Sequence, residues 1–181
     1  LTKVGTGTLL LQATNTYAGV TNVNAGTLQV QNGDAISNIA GAVNVANLAT
    51  LQLLSNETIS SYVGADDGAN ENDSLLALAG NTLTTTGSAT IANVTTVNGT
   101  ISAGTAIIDG DADNNISGTG VFLSAGGSVG TLANPIESSV ANLEGVGGTG
   151  FFVASSTNLI VGGVTAAAGI ASSGDVVVSS T

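Results

Sequence analysis

A short apolar unit recurs near the start of the chain, at a spacing that few folds can use. Leu9 and Leu11 form the pattern L-x-L, and Leu28 and Val30 form L-x-V nineteen residues later. Alternation with a period of two places both apolar side chains of each unit on one face of a strand. A repeat of about twenty residues that contains short strands with one inward face is typical of stacked coils. The spacing therefore predicts a β-solenoid.

The composition favours short strands joined by tight turns. Gly contributes 26 of the 181 residues and aromatic residues only 3%. Gly and Asn tolerate turn conformations, whereas Val, Ile and Thr suit a pleated surface. We expect a right-handed parallel β-helix of about nine coils, on the order of 40 Å long. A β-sandwich is the alternative that also uses short strands, but its usual aromatic core residues are scarce here.

Strand-like runs separated by turn signals occur along the whole chain, and no interval between them is periodic enough for a crossover helix. The clearest runs are Thr8–Gln12, Thr27–Gln31, Val43–Ala46, Thr50–Leu54, Leu75–Ala79, Thr90–Ala92, Ala106–Ile108, Val121–Ser124, Phe151–Ala154, Leu159–Val161 and Asp175–Ser179. Because the pattern is already under way at residue 1 and ends on a strand-like run, we expect residues 1–181 to be a single solenoid fragment of a longer protein.

The charge balance excludes several classes of partner and chemistry. Twelve acidic residues face one base, Lys3, so the formal net charge is −11, and the chain has no His and no Cys. Without a set of basic residues the chain cannot neutralise phosphates, which excludes nucleic acids and anionic membrane surfaces as direct partners. Ser/His and Cys/His nucleophile pairs are excluded as well. No apolar run approaches the roughly 18 residues of a membrane-spanning helix, so we expect no direct membrane insertion by this segment.

A longer pattern of alternating positions runs through the first thirty residues and includes the two apolar units. Its members are Leu1, Lys3, Gly5, Gly7, Leu9, Leu11, Asn15, Tyr17, Gly19, Thr21, Val23, Gly26, Leu28 and Val30. With these residues the stretch resembles the autotransporter-associated β-strand repeat of bacterial passenger domains. The resemblance covers about a sixth of the chain.

A second and looser resemblance lies near the other end. Residues 127–163 are similar to segments of filamentous-haemagglutinin-type exoproteins, in which a Gly-Thr-x-x-Asn-Pro step precedes a coil. We therefore divide the fragment into the repeat at residues 1–30, divergent coils with acidic loops at residues 31–126, and haemagglutinin-like coils at residues 127–163. A second subdomain or an inserted loop within residues 31–126 stays open.

These resemblances imply an exported protein with a structural role. The families imply secretion across an outer membrane and a location outside the cell or on its surface, as a stalk segment of an adhesin. Its partner is then a protein or glycan ligand on a host or neighbouring cell. Two alternatives stay open: a filament subunit that stacks head to tail through its open ends, and a polysaccharide-acting enzyme. We expect no enzyme activity, no catalytic residue and no required cofactor.

The sharpest local motif is an alternation of carboxylates in the second half of the chain. Asp109, Asp111 and Asp113 lie at positions i, i+2 and i+4, which match the D-x-D-x-[DN] start of calcium loops. The motif then departs from that pattern, because Asn114 replaces the turn glycine and no Glu follows six residues later. Two interpretations stay open: a calcium site at these three residues, or carboxylates that simply face water.

A second acidic stretch precedes it. Residues 65–74 contain Asp66, Asp67, Glu71 and Asp73 within ten positions. We expect a solvated loop that protrudes from one coil. A cation site shared with residues 109–113 is the alternative.

Overall fold

The computed structural model describes residues 1–38, 41–68, 73–166 and 169–181. Within these residues the chain is all-β, with no helix, and forms a parallel β-solenoid of about eight turns, close to the predicted nine coils. No helix in this described part of the chain is long and apolar enough to cross a membrane.

The strands stack in three columns, each of which forms one face of the solenoid. The first column contains β1 (Thr2–Lys3), β3 (Thr21–Val23), β5 (Val43–Val45), β8 (Tyr62–Gly64), β11 (Ala89–Ile91), β14 (Ile107–Asp109), β16 (Ser128–Val129), β18 (Gly150–Ser155) and β21 (Asp175–Ser180).

Two long strands continue from the second column into the third. The second column contains β2 (Thr8–Leu11), β4 (Thr27–Val30), β6 (Thr50–Leu53), β9 (Leu75–Ala77), β12 (Asn93–Thr96) and the first parts of β15 (Ile116–Ala125) and β17 (Ile136–Gly147). The last three residues of β18 pair with the start of β17, so β18 and β21 continue from the first column into the second. The third column contains β7 (Glu57–Ile59), β10 (Thr82–Thr85), β13 (Gly99–Ala103), the second parts of β15 and β17, β19 (Ile160–Val161) and β20 (Ile170–Ser172).

Side chains at equivalent positions lie on top of one another. Leu9 pairs with Leu28 and Leu11 with Val30, so the nineteen-residue unit of the sequence is one coil step, as predicted. Along the first face one inward column is almost completely buried: Val43, Tyr62, Ala89, Ile107, Val129 and Phe151, each at most 1% exposed. The resulting apolar core is continuous from coil to coil.

The length of a coil varies, which accounts for the smaller number of turns. Ala89 pairs with Ile107 in one direction and with Tyr62 in the other. Along the chain, the step from Tyr62 to Ala89 is half as long again as the step from Ala89 to Ile107. The difference lies in the corners, because the register within the columns is unbroken. The sequence-based number assumed nineteen residues for every coil.

Amide side chains form ladders on the outer surface. The Nδ2 atom of Asn44 donates to Oδ1 of Asn22 at 3.0 Å, and the Nε2 atom of Gln29 donates to Oε1 of Gln52 at 2.8 Å. Each ladder joins consecutive coils at a position where the backbones already pair. Outward positions therefore add side-chain hydrogen bonds to the backbone pairing.

The single lysine is buried inside the first coils. Lys3 is 6% exposed, and its Nζ atom donates to the backbone oxygens of Val4 (3.1 Å), Gly5 (2.5 Å) and Ala25 (2.8 Å). Its charge satisfies carbonyl groups at the corner of two consecutive coils, so Lys3 has a structural role there.

Gly26 lies at the same corner and has almost no room for a side chain. Its φ is +67°, in the left-handed region. A Cβ atom at this position would lie 2.5 Å from the backbone oxygen of Gly7. Gly7 itself is in open space, because a Cβ atom on its own backbone would meet nothing within 4 Å.

We expect Gly26→Ala to lower the free energy of unfolding by about 2 kcal/mol or more, because the substitution combines left-handed strain with a backbone clash. Gly7→Ala is the matched control, and we expect a change within about 0.5 kcal/mol. Urea denaturation followed by circular dichroism measures both. Equal effects of the two substitutions would contradict the described corner.

Candidate functional site

Most of the described acidic side chains lie along one edge of the solenoid, where the chain turns from the first face to the second. We call this edge the acidic corner. The loop between β8 and β9 carries three of its members, the end of β14 and the following loop carry three, and β17 carries one. The members are Asp66, Asp67, Asp73, Asp109, Asp111, Asp113 and Glu137.

Asn115 organises the loop after β14. It is completely buried, and its Nδ2 atom donates to Oδ1 of Asp109 (3.1 Å) and to Oδ1 of Asp111 (2.9 Å). The same amide nitrogen reaches the backbone oxygen of Ile91 in the coil below at 3.3 Å. Its Oδ1 atom accepts from the backbone N–H of Glu137 in the coil above at 2.8 Å. One neutral side chain thus links three coils and two carboxylates.

Two of the predicted calcium ligands use one oxygen each to shape the loop. Oδ1 of Asp109 accepts from the backbone N–H of Asp111, and Oδ1 of Asp111 accepts from the backbone N–H of Asp113, both at 3.0 Å. The other oxygen of Asp111 is buried and has no hydrogen-bond partner among the described residues. Burial raises the pKa of Asp111 to about 7, and the charges of Asp109, Asp73 and Asp66 add to this effect.

The second acidic stretch lies close enough to interact with this loop. Oδ1 of Asp73 accepts from the backbone N–H of Asp67 at 3.4 Å, and burial raises the pKa of Asp73. In the described ranges, the side chains of Asp66, Asp67 and Asp73 form the one group of three metal-ligating side chains whose ligand atoms all lie within 4.8 Å of one another. Glu71, the fourth acid of this stretch, lies outside the described residues.

The structure brings the two acidic loops to one edge, and metal binding by Asp109, Asp111 and Asp113 stays a prediction. A shared cation site with the earlier stretch also stays a prediction. The proximity itself follows from the corner between β11 and β12, which is a single residue, Ala92. Because that coil has no loop here, the loops of the coils on either side approach each other.

A groove of about 440 Å³ runs along the corner above this loop. We call it the corner groove. Its lining includes Asp113, Asn114, Glu137, Ser138 and Ser156, which come from consecutive coils. Burial raises the pKa of Glu137, and the charges of Asp109 and Asp113 raise it further. This end of the groove therefore holds two carboxyl groups, those of Asp113 and Glu137.

Sequence reasoning missed two residues of this arrangement. Glu137 belongs to no motif and enters the site only because the coils stack. Asn115 ends the acidic stretch, but nothing in the sequence indicated that its amide would bind both Asp109 and Asp111. The pairing of Ile116 with Ser138 defines the local coil step, and Glu137 follows Asn115 by the same step. Knowledge of that step would have placed Glu137 beside the Asp109–Asp113 motif.

Two further acids are buried away from the corner. Glu144 is completely buried, and its carboxylate accepts from the hydroxyl of Thr165 at 2.6 Å and from the backbone N–H of Val164 at 3.2 Å. These bonds lower the pKa of Glu144, the hydroxyl bond most strongly. Glu57 is 1% exposed, and its Oε1 atom accepts from the backbone N–H of Ile36 at 2.9 Å.

The first coil and half of the second contain a recognisable repeat. These residues include β1 to β4, the buried Lys3 and the constrained Gly26. Residues 1–30 match the family model of the passenger-associated-transport-repeat. This transport repeat covers 30 of 181 residues, and together with the solenoid it fits a repeat segment of an autotransporter passenger. The same match suggests an exported, cell-surface or extracellular protein.

Beyond the transport repeat, the comparisons with curated proteins and with solved structures gave no match. The remaining coils are therefore interpreted from their own geometry. Strand pairing continues without interruption beyond the transport repeat, because β4 pairs with β6 in the next coil. The repeat is thus the beginning of the same described stack.

We expect Glu57 to make stability depend on pH. Burial raises its pKa from 4.5 to about 7, and the nearby charge of Asp34 contributes to the same shift. The folded state therefore binds more protons than the unfolded state between about pH 4.5 and pH 7. The stabilisation by this group is complete below pH 4.5 and is lost as the pH rises through 7.

Comparison of wild type with Glu57→Gln isolates this effect. The amide oxygen still accepts from Ile36, but no charge is buried, so we expect the variant to be the more stable protein at pH 8 by on the order of 2 kcal/mol. The other buried acids titrate in both proteins and cancel in the difference. Thermal melts between pH 4 and pH 8 measure it. A difference that does not change with pH would contradict the assignment.

Proposed function

We propose that this chain is a rod segment of an adhesive autotransporter passenger, which holds binding loops away from the bacterial surface. One observation carries the proposal: the first strand column continues in parallel pairing from β1 to β21. Each coil is hydrogen-bonded through its backbone to the next coil and shares one apolar core with it. Such stacking gives a stiff rod whose length is set by the number of coils, about 4.8 Å for each.

The chemistry of the side chains supports a structural role over a catalytic one. The chain has no His or Cys, and its one basic residue, Lys3, has its ammonium group bound to three backbone carbonyls. A lyase for acidic polysaccharides needs a base and a group that neutralises a substrate carboxylate. The acidic corner instead repels such a substrate. We therefore favour a non-enzymatic protein over a polysaccharide-acting enzyme.

The same features support a role outside the cell. The core contains no disulfide, because the chain has no cysteine, so its stability comes from packing and backbone pairing. Each completed coil offers an edge of unpaired backbone N–H and C=O groups on which the next coil can form, which suits folding during export. The net charge of −11 reduces nonspecific association of the rod. The partner we propose is a protein or glycan on another cell, contacted by corner loops.

Deletion of one complete coil tests whether the chain acts as a spacer. Removal of residues 100–121 joins Gly99 to Phe122, and the register is kept because Phe122 already lies directly above Thr100. We expect the shortened chain to fold, to be exported and to support attachment of the bacteria to a cultured cell monolayer within about twofold of wild type. Small-angle scattering should show a rod shorter by about 4.8 Å.

The matched control removes only half a coil, residues 100–110, and breaks the register. We expect this variant to lose cooperative unfolding and to reduce both surface display and attachment by about tenfold or more. Attachment that is abolished by the full-coil deletion while display is intact would place the binding site in that coil and contradict a spacer role. Attachment unaffected by either deletion would contradict any role of this rod in adhesion.

A further inference from the structure

The first two coils close with loops where the later coils have the third face. Among the described residues, the third column of strands begins at β7. Below it lie residues 12–20, between β2 and β3, and residues 31–38, the described start of the connection from β4 to β5. The two loops are joined by hydrogen bonds, because the backbone N–H of Asn15 donates to the backbone oxygen of Asp34 at 3.1 Å and its Nδ2 atom donates to that of Ala35 at 2.8 Å.

A polar cavity of about 230 Å³ lies between these two loops. We call it the loop pocket. It is smaller than the roughly 300–1,000 Å³ of sites for drug-sized ligands, so it suits one small ring. Every lining side chain carries a hydroxyl, an amide or a carboxylate, and none carries a positive charge. The lining residues are Thr14, Asn15, Thr16, Asp34, Ser37 and Asn38.

Ser37 contributes a buried hydroxyl to the wall of the loop pocket. The residue is 5% exposed and follows Ala35 and Ile36, which are completely buried. In the described part of the chain, no group forms a hydrogen bond with its hydroxyl, although buried polar atoms normally have a partner. A buried hydroxyl without a partner costs on the order of 1–3 kcal/mol. A ligand hydroxyl in the pocket would supply the missing hydrogen bond.

Asp34 and Asn38 form an oriented pair beside this hydroxyl. The Nδ2 atom of Asn38 donates to Oδ1 of Asp34 at 2.7 Å. Within the described ranges, this bond leaves Oδ2 of Asp34 as an acceptor, and one N–H and the Oδ1 atom of Asn38, for a ligand. Two adjacent hydroxyl groups of a sugar ring match this pair, because each of them can both donate and accept.

Charge restricts which sugars can bind. The net charge of the chain is −11, and its single base, Lys3, is bound to backbone oxygens at another corner. A sugar with a carboxylate, sulfate or phosphate group would therefore meet only repulsion at Asp34. One carboxylate is also few for a hard divalent cation, which usually binds several. A neutral sugar has no such penalty and brings hydroxyl donors to the carboxylate.

We propose that the loop pocket binds one neutral sugar unit of a cell-surface glycan, held by Asp34, Ser37 and Asn38. This inference rests on the proposed adhesive function and names the class of its partner, an uncharged glycan. Thr14 and Thr16, which are exposed on the other loop, would contact further hydroxyls of the same sugar.

Asn15 has a positioning role. Its Nδ2 atom donates to the backbone oxygens of Ala13 (2.9 Å) and Ala35 (2.8 Å), so both amide hydrogens hold the loops together. The lining has no aromatic ring on which a sugar could stack. We therefore expect a single pocket to bind with a Kd in the millimolar range, and firm attachment to need many copies of the protein on one cell.

NMR titration of the isotope-labelled 181-residue chain with neutral methyl glycosides tests the proposal. The probes are the methyl glycosides of glucose, mannose, galactose and N-acetylglucosamine. We expect at least one of them to shift the amide resonances of Ser37 and Asn38 with a Kd of about 1–10 mM. The methyl glycoside of glucuronic acid, which adds a carboxylate, should bind at least about tenfold more weakly than that of glucose if glucose is the preferred ring.

Two variants separate binding from folding. Asn38→Ala removes ligand contacts and should weaken binding by about tenfold or more, whereas Asn24→Ala, at an exposed asparagine outside the pocket, should change it by less than about twofold. Ser37→Ala should weaken binding by about fivefold without lowering the melting temperature, because its hydroxyl has no partner in the described protein to lose. Circular dichroism measures the melting of each variant.

Three results would overturn the proposal. The first is no shift of these resonances with any neutral glycoside up to about 50 mM. The second is equal weakening by Asn38→Ala and Asn24→Ala. The third is a lower melting temperature of Ser37→Ala with unchanged binding, which would give this hydroxyl a structural role.

The titrations are independent of the attachment assay for the rod. If no glycoside binds but attachment responds to the two coil deletions as expected, the sugar site fails and the rod segment stands. If a glycoside binds at Ser37 and Asn38 but attachment is unaffected by either deletion, the sugar site stands and the adhesive role fails.

Discussion

Backbone pairing between successive coils at a constant register is the interaction on which this molecule depends. It holds equivalent side chains about 4.8 Å apart, so each inward residue must fit the residue above it and the one below. Leu28 and Leu51 stack directly, whereas the large Tyr62 has the small Ala89 as its next neighbour. The scarcity of aromatic residues follows from this constraint, because a continuous column of large rings would leave no room for such compensation.

The parts of the fold that repeat could be predicted from the sequence, and the parts that differ from coil to coil could not. The L-x-[LV] pattern, which begins at Leu9 and again at Leu28, predicted the coil step, the parallel pairing and the apolar core. The corners carry no such signal, since they range from the single residue Ala92 to the whole of residues 65–74 between β8 and β9. The same limit affects the site. The alternation of Asp109, Asp111 and Asp113 can be read directly from the sequence. The position of Glu137 next to it can be known only from the local coil step, which pairs Ile116 with Ser138.

The hydrogen-bond partners of the buried carboxylates follow from the scarcity of positive charge, because Lys3 is the single Lys or Arg of the chain. Buried carboxylates in most proteins pair with Arg or Lys, but here their described partners are backbone N–H groups, hydroxyls and the amide of Asn115. These neutral donors leave some oxygens unsatisfied, as at Glu57 and Glu137, and burial then raises the pKa of both groups. The chain thus contains carboxyl groups, among them Glu57 and Asp111, whose pKa is raised to about 7.

The unequal corners have a consequence for how such a rod can diversify. A loop that is lengthened between two strands of fixed register changes no residue of the core, and each doubling of its length costs only about 0.6 kcal/mol in closure entropy. Turns of different length already follow one another along the acidic corner, since Ala92 alone joins β11 to β12 and ten positions separate β8 from β9. Loops of different length and sequence can therefore follow one another along one edge of the solenoid, at multiples of about 4.8 Å, without a change in the core.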